Sequence, residues 1–218
     1  MTTRDRYKNF AELSQAEHDG IDFTCHAIPR DSSFVILAPH GGGIEPGTTE
    51  IARAIAAQSF SFYTFEGIKQ NGNEMLHITS SLFDEPKCLR LLESCQVAVT
   101  IHGCKGKAAI VHVGGLHHGL QTQIIAALWE SGFDAREAGP PYPGNEPGNL
   151  CNKGRAGQGV QLEISEGLRR AMFKGLTRQE RQTTTPVFDK FVGTVQATLL
   201  AHRHRLTDTI VETFFGLS

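Results

Sequence analysis

Phe34-Val35-Ile36-Leu37-Ala38-Pro39-His40-Gly41-Gly42-Gly43-Ile44-Glu45 is an apolar run that ends in a histidine and opens into a glycine-rich turn with a glutamate. Val97-Ala98-Val99-Thr100-Ile101-His102-Gly103 is a second apolar run closed by a histidine. Runs of this length, bounded by proline and glycine, read as buried strands. Working outward, a weaker strand is expected around Ile21 to Ala27, and others at Phe60 to Phe65, Ile110 to Val113 and Val160 to Ile164. Helical spacing separates them. Pro46 to Ala57 reads as a helix capped by Thr48 or Thr49, and Asp84-Glu85-Pro86 opens another. Leu120 to Ser131 follows with Ile124, Ile125, Leu128 and Trp129 facing inward, then Glu166 to Phe173 capped by Ser165, and a long helix from Pro186 to about Ala201. Pro140 to Gly159 reads as an irregular surface loop. Strands alternating with helices predict an α/β fold: one domain over residues 1–218, with a mixed, mostly parallel sheet flanked by helices. The tail 203–218 is ambiguous between a further packed element and none.

Composition limits the function classes. A hydrophobic fraction of 39% and a charged fraction of 20% suit a globular chain, and a net charge of −2 gives no reason to expect nucleic-acid or membrane partners. No apolar run approaches the roughly 20 residues that span a bilayer. The polar first 20 residues lack the apolar core of a secretory signal, so synthesis in the cytosol is expected, with action outside the cell following lysis. Five cysteines without a CxxC pair read as reduced thiols.

The chemistry concentrates at the strand ends, where ligands bind in open α/β sheets. His40, His102 and Glu45 form a His2Glu set, which suits a single catalytic Zn2+ with one position left for water. In Val160-Gln161-Leu162-Glu163-Ile164-Ser165 the apolar residues share one face, while Gln161, Glu163 and Ser165 share the other. A glutamate inside an apolar strand costs free energy unless it is paired or functional. Glu163 is therefore the candidate general acid/base, the plainer alternative being an ion pair with Arg169 or Arg170. Lys105, Lys107, Lys153 and Arg155 place positive charge near the expected cleft and point to an anionic substrate, with Arg155 the best carboxylate clamp and Lys105 a second contact. His77 is a candidate substrate contact; His112 reads as a core or edge residue, and His202 and His204 as surface residues.

Ala38 to Glu50 (APHGGGIEPGTTE), Leu76-His77-Ile78-Thr79-Ser80, Phe83-Asp84-Glu85-Pro86, Val113-Gly114-Gly115-Leu116 and Gly159 to Ser165 (GVQLEIS) together resemble the phage and Bacillus poly-γ-glutamate hydrolases. The resemblance runs from about Tyr7 to Phe173. It implies a compact, zinc-carboxypeptidase-like fold, with His40, Glu45 and His102 as zinc ligands and Glu163 as general acid/base. It also implies capsule or slime poly-γ-glutamate as the anionic partner, cut at its γ-glutamyl amides. Four residues separate His40 from Glu45, unlike the His-x-x-Glu of ordinary metallocarboxypeptidases, so exopeptidase specificity is not carried over. Two other functions fit the same residues. A zinc deacylase or amidase of small N-acyl amino acids needs a closed pocket, and a non-catalytic polymer-binding or virion protein needs no metal geometry at all.

Overall fold

A computed structural model describes residues 5–215, and the side chains of residues 5–203. In chain order its elements are α1 (Phe10–Ala16), β1 (Phe23–Ile28), β2 (Phe34–Gly42), α2 (Thr48–Ala56), β3 (Ser61–Gly67), α3 (Pro86–Ser94), β4 (Val97–Cys104), β5 (Ile110–Gly115), α4 (His118–Glu130), β6 (Asp134–Glu137), β7 (Val160–Ser165), α5 (Glu166–Met172) and α6 (Pro186–Phe215). The strands form one sheet in the order β1-β3-β2-β4-β7-β5-β6. β3, β2, β4 and β7 run parallel, β1 and β5 join them antiparallel, and β6 pairs parallel with β5. The α/β fold with a mixed sheet flanked by helices is as the alternation of elements predicts.

Strand parity divides the core in two. Phe34 and Ile36 of β2, Val97, Val99 and Ile101 of β4, Val111 and Val113 of β5, Ala135 of β6, and Val160, Leu162 and Ile164 of β7 face one layer. That layer is built from Ile51 and Ile55 of α2, Leu120, Ile124 and Leu128 of α4, Leu168 and Met172 of α5, and Phe191, Val195 and Leu199 of α6. Val35, Leu37, Tyr63, Phe65 and Ala98 face the opposite layer, where Leu13 of α1 and Cys88, Leu91 and Leu92 of α3 cover the β1–β3–β2 side. Period-2 alternation makes this sorting automatic wherever the ladder is regular.

One irregularity matters for the site. β2 pairs with β3 at Ala38–Thr64 and again at Gly41–Glu66, so three steps on β2 oppose two on β3. This bulge at Pro39-His40 reverses the parity of the strand. Without it His40 would share the α2 face with Ile36 and Ala38. With it, Gly41 faces α2, against the hydroxyls of Thr49 and Thr64, and His40 turns to the other face. Proline, having no N–H to give to a ladder, is suited to such a position.

Several expectations are corrected by tertiary packing. α2 starts from Gly47 at φ 102° with no side-chain cap; Thr48 and Thr49 instead bond into the His40–Glu45 turn. Trp129 faces outward and is 59% exposed, its indole N–H donating to the Ala135 carbonyl at 2.6 Å. The segment 140–159 is not only surface: Leu150, Cys151 and Asn152 are buried against the sheet. β6 carries too little periodicity to be anticipated. His202 is buried rather than on the surface, and the side chain of His204 lies outside the described residues.

Candidate metal centre

The site sits at the carboxyl ends of β2, β4 and β7. His40 leaves the bulge, and a tight turn brings Glu45 back, with the Glu45 N–H donating to the His40 carbonyl at 2.9 Å. The Thr48 hydroxyl donates to the Glu45 carbonyl at 2.9 Å and pins the turn. His102 projects from β4 on the face opposite Ile101, and Glu163 is its ladder partner on β7. His40, His102 and Glu163 are all buried, at 2%, 2% and 7% exposure.

Donor atoms converge. His40 Nδ1 lies 3.1 Å from His102 Nδ1 and 3.1 Å from Glu45 Oε1, and His102 Nδ1 lies 3.6 Å from Glu45 Oε2. His40 Nε2 is 2.8 Å from the Ile78 carbonyl, an acceptor only, so Nε2 carries the proton and the lone pair of a neutral ring is on Nδ1. His102 Nε2 has Ser80 Oγ at 3.3 Å. Both imidazoles thus aim Nδ1 at one point beside a carboxylate, a donor set that suits a shared cation. Bonds of about 2.0–2.1 Å in tetrahedral geometry separate ligands by about 3.4 Å, so the residues fit a zinc ion. The Gly103 N–H donates to Glu45 Oε2 at 2.8 Å, leaving Oε1 for the metal side. Burial would raise the pKa of Glu45, but its interactions with His40 and His102 hold it well below the usual carboxylate range.

His77 offers a second arrangement. Its ring lies 4.0 Å from that of His40, and its Nε2 is 3.9 Å from Glu45 Oε1. His40, Glu45 and His77 therefore also group as possible ligands. The shorter separations to His102 fit a single ion better. Asp5 orients His77 by accepting from Nδ1 at 2.7 Å, and its other oxygen accepts from the Thr79 N–H and hydroxyl, each at 2.6 Å. His77 is 35% exposed, so it borders the cleft beside the metal position.

Glu163 accepts from Gln161 Nε2 at 3.0 Å and, among the described residues, has no cationic group within ion-pair distance. Burial, then the nearby charge of Glu45, raises its pKa well above the usual range, and Arg169 opposes them. Arg169 does not pair with it directly. The guanidinium is buried and donates to the Ile164 carbonyl at 3.1 Å, the Pro46 carbonyl at 2.6 Å and the Cys104 carbonyl at 3.1 Å. Those three carbonyls lie within two residues of Glu163, Glu45 and His102.

The expected carboxylate clamp is not here. The Arg155 N–H donates to the Cys95 carbonyl at the amino end of β4, and the Arg155 side chain is exposed. At about 3.3 Å per strand residue the site is roughly 20 Å away, beyond the reach of an arginine side chain. Arg155 is corrected accordingly. Lys153 is half-buried, its Nζ donating to the Phe83 carbonyl at 3.3 Å. Lys105 is exposed just past the end of β4, at the site end of the sheet. Sequence reasoning overlooked Asp5, which orients His77, and gave no neighbour to His112, which pairs in register with Glu163 on the side away from His102. Alternation gives it the polar face of β5, a signal visible in the sequence; its neighbour on β7 is not.

Residues 7–194 match the model of the poly-γ-glutamate hydrolase family. The chain is 36% identical to the UPF0714 protein YndL of Bacillus subtilis (strain 168), over 83% of this chain and 71% of that one. It is 38% identical to the SPβ prophage-derived UPF0714 protein YoqZ of the same organism, over 87% and 69% respectively. Among solved structures, a bacteriophage poly-γ-glutamate hydrolase superposes with a TM-score of 0.89 at 32% identity, covering 91% of this chain and 98% of that one.

Proposed function

The chain belongs to the poly-γ-glutamate hydrolase family and is an enzyme, and on that premise we propose that it hydrolyses γ-glutamyl amide bonds of poly-γ-glutamate with the help of one zinc ion held by His40, Glu45 and His102. The observation that carries the zinc reading is the convergence of two imidazole Nδ1 atoms, 3.1 Å apart, beside a carboxylate whose other oxygen is already held by the Gly103 amide. A zinc-free structure of YndL, which superposes with a TM-score of 0.86 at 34% identity over 90% of this chain and 98% of that one, is consistent with it.

A zinc ion bound there supplies Lewis acidity toward the amide carbonyl and lowers the pKa of a water molecule. Glu163, one strand from His102, accepts the proton of the attacking water and returns it to the departing amine nitrogen. Its burial keeps competing water out, and Gln161 fixes the carboxylate by donating to Oε1. Asp5 holds His77 at the rim, where it contacts the substrate, and Lys105 at the same end of the sheet adds positive charge for a polyanion. Incubating the purified protein with poly-γ-glutamate, with and without a chelator, tests the reading. Chain shortening that the chelator abolishes and added zinc restores is expected; shortening indifferent to the chelator overturns the zinc assignment, and no shortening overturns the substrate. The polymer carries a free α-carboxylate on every residue, a charge that Lys105 at the site end of the sheet would attract.

A further inference from the structure

Beyond Glu163 the polar face of the sheet continues across two more strands. His102 of β4 pairs with Glu163 of β7, Glu163 with His112 of β5, and His112 with Arg136 of β6. Residues paired in register point to the same face. The apolar neighbours of each, Ile101, Leu162, Val111, Val113 and Ala135, all face the α4–α6 layer. The four polar side chains therefore form one row, on the face that α1 and α3 cover over the β1–β3–β2 side and that the segment 138–152 covers beside the row, at Gln161 of β7 and Gly114 of β5. His112 is half-buried and makes no hydrogen bond or ion pair among the described residues. Arg136 is 56% exposed and gripped by Asp134 through two bonds, Nε to Oδ1 at 2.8 Å and Nη2 to Oδ2 at 2.7 Å.

We propose that His112 and Arg136 form a binding subsite for successive α-carboxylates of the substrate chain on its amine side, so that the polymer leaves the metal across β7, β5 and β6. The proposal rests on the γ-glutamyl reading above. Strands are about 4.8 Å apart, which puts His112 about 5 Å and Arg136 about 10 Å from Glu163 along the row. In a γ-linked chain the first α-carboxylate is borne by the carbon next to the scissile nitrogen, and the next follows after five bonds, about 6 Å further. Glu163 at the nitrogen thus places the first carboxylate against the imidazole N–H of His112, and the second against the guanidinium. Arg136 is the group suited to the outer position, because its planar fork matches a carboxylate, and Asp134, which occupies the Nε–Nη2 edge in the free enzyme, is the group a substrate carboxylate must displace.

The test is steady-state kinetics on γ-glutamyl oligomers of defined length. Arg136→Ala is expected to raise KM about two- to fivefold for oligomers with two or more residues beyond the cut, the range of an exposed ion pair, with kcat unchanged. It leaves oligomers with one such residue unaffected. Asp134→Asn, which frees the guanidinium, is expected to lower KM for the same long oligomers. His112→Ala raises KM for both classes about tenfold, and His112→Asn, which retains an N–H donor, recovers part of the loss. Because Asp134 and Arg136 are surface residues, a merely structural pair predicts no kinetic effect of either sign. Cleavage with KM unmoved in all the variants overturns the subsite and leaves the proposed function standing. Wild-type enzyme that, loaded with zinc, cuts none of the oligomers overturns both.

Discussion

Replacing Arg169 by methionine tests whether the site is held together by one buried cation. The guanidinium reaches the carbonyls of Pro46, Cys104 and Ile164 at 2.6, 3.1 and 3.1 Å. These belong to the segments that present Glu45, His102 and Glu163, so a single side chain ties the turn after β2 to the paired ends of β4 and β7. A hydrogen bond from a charged donor contributes about 1.5–3 kcal/mol, but among the described residues Arg169 has no carboxylate in ion-pair contact, and burying its charge consumes much of that gain. Methionine fills the volume and leaves three carbonyls without donors, at about 1–3 kcal/mol each where water cannot reach. The net loss should be about 3–5 kcal/mol, the cost of breaking a buried charged network. For a chain of this size that lowers Tm by roughly 6–20 °C. Zinc affinity should fall about 10- to 100-fold, as when groups that orient metal ligands are removed. Urea unfolding of the metal-free protein and competition titration with a zinc indicator measure the two quantities separately. Arg169→Lys, keeping the charge but reaching fewer carbonyls, should recover part of both. A methionine variant within about 1 kcal/mol of wild type, with unchanged zinc affinity, would refute the reasoning.

His102→Ala should remove stoichiometric zinc, and unchanged metal content by elemental analysis contradicts the ligand assignment. Glu163→Gln should retain zinc and lose about 10²- to 10⁴-fold in kcat, the usual contribution of a general base; a near wild-type rate removes Glu163 from that role. In metal-free protein the same substitution should stabilise. The folded pKa of Glu163 lies above its unfolded value, so its favourable contribution is complete below about pH 4.5 and is lost as pH rises through the folded value. The advantage of glutamine should therefore grow over that window in denaturant melts, and a pH-independent difference contradicts the burial argument. Gly103→Ala places a Cβ 2.7 Å from the Arg169 Cζ and disturbs the amide that holds Glu45. It should cost about 1–3 kcal/mol and weaken zinc binding, measured by the same two titrations.

The parts of this site legible in the sequence are those set by local rules. Alternation in Val160–Ser165 puts Glu163 opposite the apolar face, and terminal histidines on two apolar strands place imidazoles at one end of a parallel sheet. What failed was long-range. Arg155 precedes Glu163 by only eight positions, so proximity in sequence suggested proximity in space. The intervening chain instead returns to the amino end of β4 before β7 begins, and β7 then runs the length of the sheet back to the site. His112 was passed over because a strand pattern assigns it a face but not a neighbour; antiparallel pairing with β7 supplies that. Arg169 shows the same limit, since an arginine in the last turn of a short helix gives no sign that it points beneath three strand ends.

His40 is the instructive case, because its place at the site contradicts the parity of its own strand. Phe34, Ile36 and Ala38 are buried against the α2 layer, and strict alternation would send His40 there too. The imidazole would then lie among Ile51, Ala52 and Ile55, with the sheet between it and His102. One extra residue at Pro39-His40 prevents this, and it does so where Gly41 can accept the close approach of the Thr49 and Thr64 hydroxyls that any larger side chain would block. Gly41 and Thr49 thus have a specific reason to belong to the same block as the ligands: they stabilise the bulge that aims His40, as Gly103 and Arg169 stabilise the strand end that aims His102. The proposed metal centre is therefore specified less by its candidate donor residues than by the backbone irregularity and the buried cation that bring them to one face.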